Sequence, residues 1–175
     1  MMIKKNINMV KNANKIKDSN DIRFSIKRIA YQVYETNLEE ESLVIVGIAE
    51  SGGLLSKLIG QVLELISDLN LTYVKLEINK KNPLGSIKSD IPLKDLKNQS
   101  IIIIDDVLNT GSTLIYAVSY FLQIPLKQIK TAVMVNRNHK KFPIKADFKG
   151  ISLSTSVNEH IKVELKGENS GVYLS

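Results

Sequence analysis

Four consecutive isoleucines at residues 101–104 constrain the fold of this chain more than any other stretch. Because these residues do not alternate with polar ones, the segment is predicted to be a strand buried on both faces, as in a parallel sheet covered by helices. Open sheets of this type bind ligands at the carboxyl ends of their strands. Asp105 and Asp106 follow directly, so both carboxylates are expected at that end of the sheet.

A polar turn at residues 109–113 follows and leads into an apolar segment, 114–122, that is predicted to be a helix. Unpaired N–H groups at a helix start favour a phosphate. Gly111 allows close backbone approach, and Thr110, Ser112 and Thr113 add hydroxyl donors. Such residues also cap helices without any ligand, and paired aspartates after a strand also occur in phosphoacceptor domains. Together they predict a site for a sugar phosphate whose hydroxyls, or a divalent cation, meet the carboxylates.

Strands and helices alternate along the rest of the chain, which predicts an α/β fold with a mostly parallel, doubly wound sheet and helices on both faces. Residues 79–96 form a long polar segment, predicted to be a mobile or functional loop. The alternation of strands and helices ends after residue 135, where the sequence becomes basic and loses its periodicity. Short strand-like pieces at 151–153 and 161–165 then predict a small cap beyond the sheet. The predicted strands are 43–48, 71–78, 101–104 and 129–135, and the predicted helices are 22–34, 54–66 and 114–122.

The length of 175 residues indicates one domain, 19–175, after a basic N-terminal arm, 1–18, that is expected to be irregular or partly ordered. Residues 1–28 carry the whole net charge of +6. A solvated arm is favoured over one that contacts nucleic acid. The chain has no cysteine, which excludes disulfides and cysteine-ligated zinc, and no apolar run of membrane-spanning length, so we expect a cytoplasmic protein.

Residues 101–113 resemble the phosphoribosyl pyrophosphate (PRPP) signature of the type I phosphoribosyltransferases, in which four hydrophobic and two acidic residues precede a small, Thr/Gly-rich turn. Residues 142–150, the following Ser154-Thr155-Ser156 and residues 90–93 are similar to the bifunctional pyrimidine operon attenuator/uracil phosphoribosyltransferase group. The resemblance covers about residues 22–165. It implies a type I phosphoribosyltransferase-like fold with a small C-terminal hood, and a homodimer.

The resemblance also implies roles for individual residues. Asp105 and Asp106 would hold the ribose hydroxyls, directly or through Mg²⁺ that PRPP carries, without a direct metal site on the protein. The 79–96 loop would close over the site, and Arg137 would help to place the base unless it is an exposed surface ion. His139 is expected to be a surface histidine. The ribose phosphate would be wrapped by Leu108, Asn109, Thr110, Gly111, Ser112 and Thr113, and the loop lysines Lys80 and Lys81 would meet the pyrophosphate unless they are only solvated.

Two positions depart from the family pattern. The pyrophosphate loop of close relatives carries Arg or Lys, whereas the matching residues here are Ala49, Glu50, Ser51 and Gly52. Purine-salvage relatives often have an acid where this chain has Asn109, which cannot act as a general base. The second departure argues against ordinary hypoxanthine-guanine chemistry.

Three functions remain open from the sequence. The first is transfer of the phosphoribosyl group from PRPP to a nucleobase, with a pyrimidine such as uracil favoured and pyrophosphate released. The second is a regulator that senses PRPP or nucleotides, binds RNA and has weak or no catalysis. The third is a pseudoenzyme that keeps the fold as an interaction module.

Overall fold

The computed structural model describes residues 13–156 and 158–175. A six-stranded sheet has the order β4-β3-β2-β5-β6-β7, in which β4 alone is antiparallel, and a smaller antiparallel sheet has the order β1-β9-β8. The helices are α1 (Ser19–Glu35), α2 (Ala49–Ile66) and α3 (Ser112–Phe121), with a 3-10 helix at Leu93–Leu96. The strands are β1 (Asn14–Lys17), β2 (Ser42–Ile48), β3 (Asn70–Glu77), β4 (Lys88–Ser89), β5 (Ser100–Leu108), β6 (Gln128–Arg137), β7 (Phe148–Leu153), β8 (Ile161–Glu164) and β9 (Gly171–Leu174).

Strand β5 lies at the centre of the larger sheet and is buried on both faces, as its run of isoleucines predicts. It pairs in parallel with β2 on one side and with β6 on the other. The strand continues through the acidic pair to Leu108, so it is longer than the predicted segment. Asp105 and Asp106 therefore have their backbones fixed by the sheet.

Helices cover both faces of this sheet, which confirms the doubly wound α/β architecture. Helices α1 and α2 pack on one face, and α3 packs on the other. The α1 boundaries follow the sequence closely, although the cap is Asp18, one residue before the predicted 19–21 segment. The Asp18 side chain accepts from the Asp21 N–H, and the Asp21 side chain accepts from the Asp18 N–H.

One prediction about the ends of the chain is wrong. The strand-like piece 151–153 was expected in a cap beyond the sheet, but it belongs to β7, which pairs in parallel with β6 as an edge strand of the main sheet. Residues 14–17 were expected to be irregular or partly ordered, and they form the short strand β1. This strand pairs with β9, which the sequence pattern did not indicate. Strand β7 pairs with the strand that precedes it in the chain, whereas β1 and β9 lie at opposite ends of the described residues. Residues 1–12 of the predicted basic arm lie outside the described residues.

The two segments predicted as loops are also partly regular. Residues 49–52 form the first turn of α2, so the predicted pyrophosphate loop is a helix start. The 79–96 segment contains β4 and the 3-10 helix, which leaves residues 79–87 as its irregular part. Within the described ranges, no helix is long and apolar enough to cross a membrane.

Candidate active site

A cavity of about 390 Å³ opens at the carboxyl ends of β5 and β6. This is the sheet edge at which the sequence places the acidic pair. Its walls come from β5, the turn that follows it, the end of β6, the start of β8 and one lysine of the 79–87 segment. The lining residues are Lys80, Asp105, Asp106, Val107, Leu108, Asn109, Thr110, Gly111, Thr113, Leu114, Val133, Arg137, His160 and Ile161.

The two carboxylates share one cation. The Lys80 ammonium lies 2.7 Å from Asp105 Oδ1 and 2.9 Å from Asp106 Oδ1. Asp105 Oδ1 also accepts from the Asp106 backbone N–H at 2.9 Å. The Asp105 side chain is almost fully buried, whereas Asp106 and Lys80 are partly exposed towards the cavity. The pair and the lysine therefore carry one net negative charge at the sheet edge when all three groups are ionised.

Their different surroundings shift the pKa values of the two aspartates in opposite directions. Burial raises the pKa of Asp105 to about 7; the Lys80 charge opposes this rise and the Asp106 charge adds to it. Burial also opposes ionisation of Asp106, but its hydrogen bonds and the Lys80 charge outweigh that effect and lower its pKa. For Lys80, burial favours the neutral amine, but the two carboxylates outweigh it and raise the pKa. Asp106 is the carboxylate that stays ionised more readily.

The turn after β5 that was predicted to hold a phosphate is tight and ends at a helix start. Gly111 has a φ of 86°, in the left-handed region, and it immediately precedes α3. The Ser112 N–H donates to the Thr110 hydroxyl, and the Ile115 N–H donates to the Gly111 carbonyl. Thr110, Gly111 and Thr113 line the cavity at the start of α3, and a helix start favours an anion.

This turn is held in place by the segment between β6 and β7. The Thr110 carbonyl accepts from the N–H groups of Lys141 at 2.8 Å and Phe142 at 3.1 Å. A Cβ on Gly111 would lie 2.7 Å from the Ile144 side chain. The basic segment after β6, which had no periodicity in the sequence, therefore braces the predicted phosphate turn through its backbone and apolar residues.

Arg137 is the last residue of β6 and is only 4% exposed. Its Nε donates to Thr155 Oγ1 at 2.9 Å, and a terminal nitrogen donates to the Ser156 carbonyl at 3.1 Å. The alternative of an exposed surface ion is therefore wrong. His139 is also joined to this segment, since its Nε2 lies within hydrogen-bond distance of the Thr155 carbonyl oxygen. Arg137 fixes the 154–156 segment beside the cavity.

The start of α2 lies next to this cavity but does not line it. Gly52 packs so closely on β5 that a Cβ there would lie 2.6 Å from the Ile104 carbonyl oxygen. Ala49 has a φ of 54°. Glu50 is exposed and lines neighbouring grooves, together with Lys75. The Ser51 hydroxyl is the group of this turn that helps to lower the pKa of Asp106.

The structure thus brings most of the sequence-predicted residues together, but not all of them. Lys80, the acidic pair, the turn and Arg137 line one cavity, although Ser112 does not. Lys81 and residues 49–52 are also absent from its lining. Sequence reasoning missed His160 and Ile161 at the start of β8, and Val107, Leu114 and Val133. The one available signal for His160 was its place shortly after the Ser154-Thr155-Ser156 segment.

The acidic pair fits a magnesium ion that a phosphate ligand brings with it. Magnesium binds through one or two carboxylates together with substrate phosphates and water. Both Oδ1 atoms already converge on a single cation, the Lys80 ammonium. Among residues 13–156 and 158–175, no group of three or more His, Asp and Glu could hold a metal by itself.

Residues 12–167 match the family model described as the phosphoribosyl transferase domain. The chain therefore belongs to the phosphoribosyltransferase family. It is 36% identical over 154 residues to a protein of Fusobacterium nucleatum named bifunctional protein PyrR, covering 83% of this chain and 86% of that protein. A protein of the same name from Pediococcus pentosaceus is 34% identical over 149 residues, with 79% and 84% covered. These relatives confirm the group that the sequence resembles.

Solved structures confirm the fold. A hypoxanthine-guanine phosphoribosyltransferase from Bacillus anthracis superposes with a TM-score of 0.76 at 13% identity and covers 93% of this chain and 96% of that one. A hypoxanthine phosphoribosyltransferase from Trypanosoma cruzi gives a TM-score of 0.73, also at 13% identity, over 83% of this chain and 73% of that chain. At such low identity these structures support the architecture and not the substrate.

Proposed function

We propose that this protein transfers the phosphoribosyl group of PRPP to a nucleobase, with a pyrimidine such as uracil favoured, and releases pyrophosphate. The observation that carries the proposal is the single cavity in which Asp105 and Asp106 lie beside the turn that begins α3. Its two ends match the two ends of a ribose 5-phosphate, since hydroxyls suit carboxylates and a phosphate suits a helix start.

In this arrangement a nitrogen of the base attacks the anomeric carbon as the bond to pyrophosphate breaks, and the proton on that nitrogen passes to water. Asp105 and Asp106 hold the ribose hydroxyls, and the N–H and hydroxyl groups of residues 109–113 hold the 5-phosphate. Fixing both ends of the ribose aligns the anomeric carbon for displacement, which is a positional contribution to the rate. The negative carboxylates also favour the positive charge that develops on the ribose in the transition state. Asp105 and Asp106 would hold a magnesium ion bound with PRPP, which would supply positive charge to neutralise the pyrophosphate.

The acceptor side of the cavity is formed by Arg137, His160 and Ile161. Arg137 lies at the end of β6, where it can orient a base between the sheet edge and the 154–156 segment. Asn109, at the cavity wall, stands where purine-salvage relatives often have an acid, and its amide cannot act as a general base. This combination supports a pyrimidine acceptor over hypoxanthine or guanine. On the other side of the cavity, Lys80 is the lysine that would meet the pyrophosphate.

A panel of nucleobases tests the proposal. Each base is incubated with PRPP and Mg²⁺, and pyrophosphate release is measured. Release with uracil and little release with hypoxanthine or guanine is expected. Release with purines alone would contradict the pyrimidine acceptor, and failure of PRPP to bind would contradict the transferase proposal.

The alternative function is a PRPP- or nucleotide-sensing regulator that binds RNA, with weak or no catalysis. One observation favours it: Lys140 lies close to Lys145 and Lys149. Burial is the largest cause that lowers the pKa of Lys140, and the charges of Lys149 and Lys145 lower it further. Such a cluster of like charges suits a polyanion. PRPP binding without pyrophosphate release, together with an RNA affinity that falls steeply with salt, would favour this function.

A further inference from the structure

The 79–87 segment, which we call the lysine loop, is joined to the site through Lys80. Strand β3, which precedes this loop, is separated from β5 by β2 in the sheet. The lysine loop therefore brings the Lys80 ammonium across the carboxyl end of β2 to both aspartates. Its first turn is fixed internally, because the Asn79 side-chain oxygen accepts from the N–H groups of Lys81 and Asn82.

The rest of the lysine loop is held mainly at its end, where the half-buried Ile87 packs against the core. Residues 79–86 are exposed except for the half-buried Pro83. In the part of the chain that the structure describes, the side-chain hydrogen bonds from 79–86 to residues outside the loop are those of Lys80. Leu84, at the tip of the loop, is 78% exposed. The two ion pairs of Lys80 are therefore the polar contacts that set the position of the loop over the cavity.

The Lys80 ammonium also occupies the place that a substrate cation needs. It lies within 2.9 Å of an oxygen of each carboxylate. A metal ion bound by these same oxygens cannot coexist with an ammonium in that position, because the two cations would overlap and repel each other. Ribose hydroxyls that donate to the same oxygens would compete with the ammonium as well.

We propose that Lys80 is a placeholder cation: its ammonium holds the lysine loop against Asp105 and Asp106 in the ligand-free protein and leaves when metal-bound PRPP binds. This inference rests on the proposed function for the identity of the ligand. It adds that the ligand enters by exchange of one cation for another, and that this exchange releases the loop. The released ammonium is then free to meet the pyrophosphate, on the side of the site where residues 49–52 supply no base.

Loop mobility gives the first test, and the absence of cysteine from the chain makes it direct. A nitroxide spin label on a Leu84→Cys variant reports the motion of the lysine loop without competing thiols. Adding Lys80→Met is expected to increase the mobility of the label, whereas Lys81→Met, in the same loop, is expected to leave it unchanged. Equal mobility in all three backgrounds would overturn the proposal.

Metal binding gives the second test and needs no catalysis. The affinity of the unlabelled protein for Mn²⁺ alone is measured at about pH 8.5, where the carboxylates favour their ionised forms. Lys80→Met is expected to bind Mn²⁺ about tenfold more tightly than wild type, which corresponds to about 1.4 kcal/mol. Lys81→Met should match wild type, and adding Asp105→Asn and Asp106→Asn to Lys80→Met should abolish the gain. Unchanged or weaker Mn²⁺ binding by Lys80→Met would contradict a placeholder role.

Calorimetry with PRPP separates this inference from the proposed function. One outcome is that wild type binds PRPP with Mg²⁺ while Lys80→Met changes neither the mobility of the spin label nor the Mn²⁺ affinity. In that case the placeholder role of Lys80 is wrong and the PRPP site stands. If Lys80→Met gives both expected changes but wild type binds no PRPP, the exchange of cations stands and the identification of the ligand as PRPP is wrong.

Discussion

The two halves of the proposed PRPP site are built in different ways. The half for ribose and its phosphate comes from one continuous stretch, in which β5 ends in Asp105 and Asp106 and a glycine turn leads into α3. The half for pyrophosphate combines the start of α2, which carries Glu50 and no base, with Lys80 from the lysine loop. The first half is rigid and held by the sheet, whereas the second depends on an exposed loop.

This difference determines what each half can contribute to ligand binding. Groups fixed by the sheet and by backbone hydrogen bonds are already in place before a ligand arrives, so little ordering is needed on binding. A lysine on an exposed loop can change partners. Substitutions in the ribose-phosphate half should therefore lower stability or PRPP affinity more than substitutions at the start of α2.

The largest structural effect is expected at Arg137, which joins β6 to the segment beside the cavity. Arg137→Met leaves the Thr155 hydroxyl and the Ser156 carbonyl without this donor. We expect a loss of about 2–3 kcal/mol in the free energy of unfolding. Denaturant unfolding measures it. The matched control is Lys141→Met, an exposed basic residue after the same strand, which should cost less than about 0.5 kcal/mol. Equal losses would show that Arg137 does not hold this segment.

The next effect is expected at the phosphate turn. Gly111→Ala adds a Cβ 2.7 Å from Ile144, at a φ of 86°. We expect a loss of about 1–3 kcal/mol in stability and a weaker affinity for PRPP. Thermal unfolding and calorimetry measure the two quantities.

Gly167→Ala is the control for the backbone strain alone. Gly167 also has a positive φ, of 68°, but a Cβ there meets nothing within 4 Å. It should lose less stability than Gly111→Ala and leave PRPP affinity unchanged. If Gly167→Ala lost as much PRPP affinity as Gly111→Ala, the turn would have no special role in PRPP binding.

Asp105 should make the fold less stable as the pH rises. Its folded pKa of about 7 lies above its ordinary value, so its stabilising contribution is complete below about pH 4 and is lost as the pH rises through 7. Asp105→Asn removes this ionisation. We expect the variant to be more stable than wild type by on the order of 1–2 kcal/mol at about pH 8, with a smaller difference at about pH 5. A constant difference across this range, in denaturant unfolding at each pH, would be inconsistent with the raised pKa.

The smallest effect is expected at the start of α2. Glu50 is exposed and lies outside the lining of the main cavity, so its charge is screened by water. Glu50→Gln should strengthen PRPP binding by no more than about threefold at physiological salt. Glu39→Gln, at an exposed site between α1 and β2, serves as the control and should have no effect. A gain of more than about tenfold at Glu50 would show that this turn contacts the pyrophosphate directly.

The same difference explains how much could be predicted from sequence. The isoleucine run, the acidic pair and the glycine turn are adjacent in the chain, so local patterns gave the strand, the turn and the helix. Arg137 and His160 reach the cavity because β6 pairs with β5 and β8 belongs to the smaller sheet, and no local pattern records how these two sheets come together. The bridge from Lys80 to the aspartates spans 25 residues and depends on the order of strands in the sheet. Strand β9 was missed because it is short and its partners are β1 and β8.

The central claim is that Asp105, Asp106 and the turn after them bind PRPP, and titration calorimetry tests it most directly. Wild type, titrated with PRPP in the presence of Mg²⁺, should show saturable binding. The double variant Asp105→Asn, Asp106→Asn should lose at least about 100-fold in affinity while circular dichroism shows an unchanged fold. An affinity in the double variant equal to that of wild type would contradict the assignment of this cavity as the PRPP site.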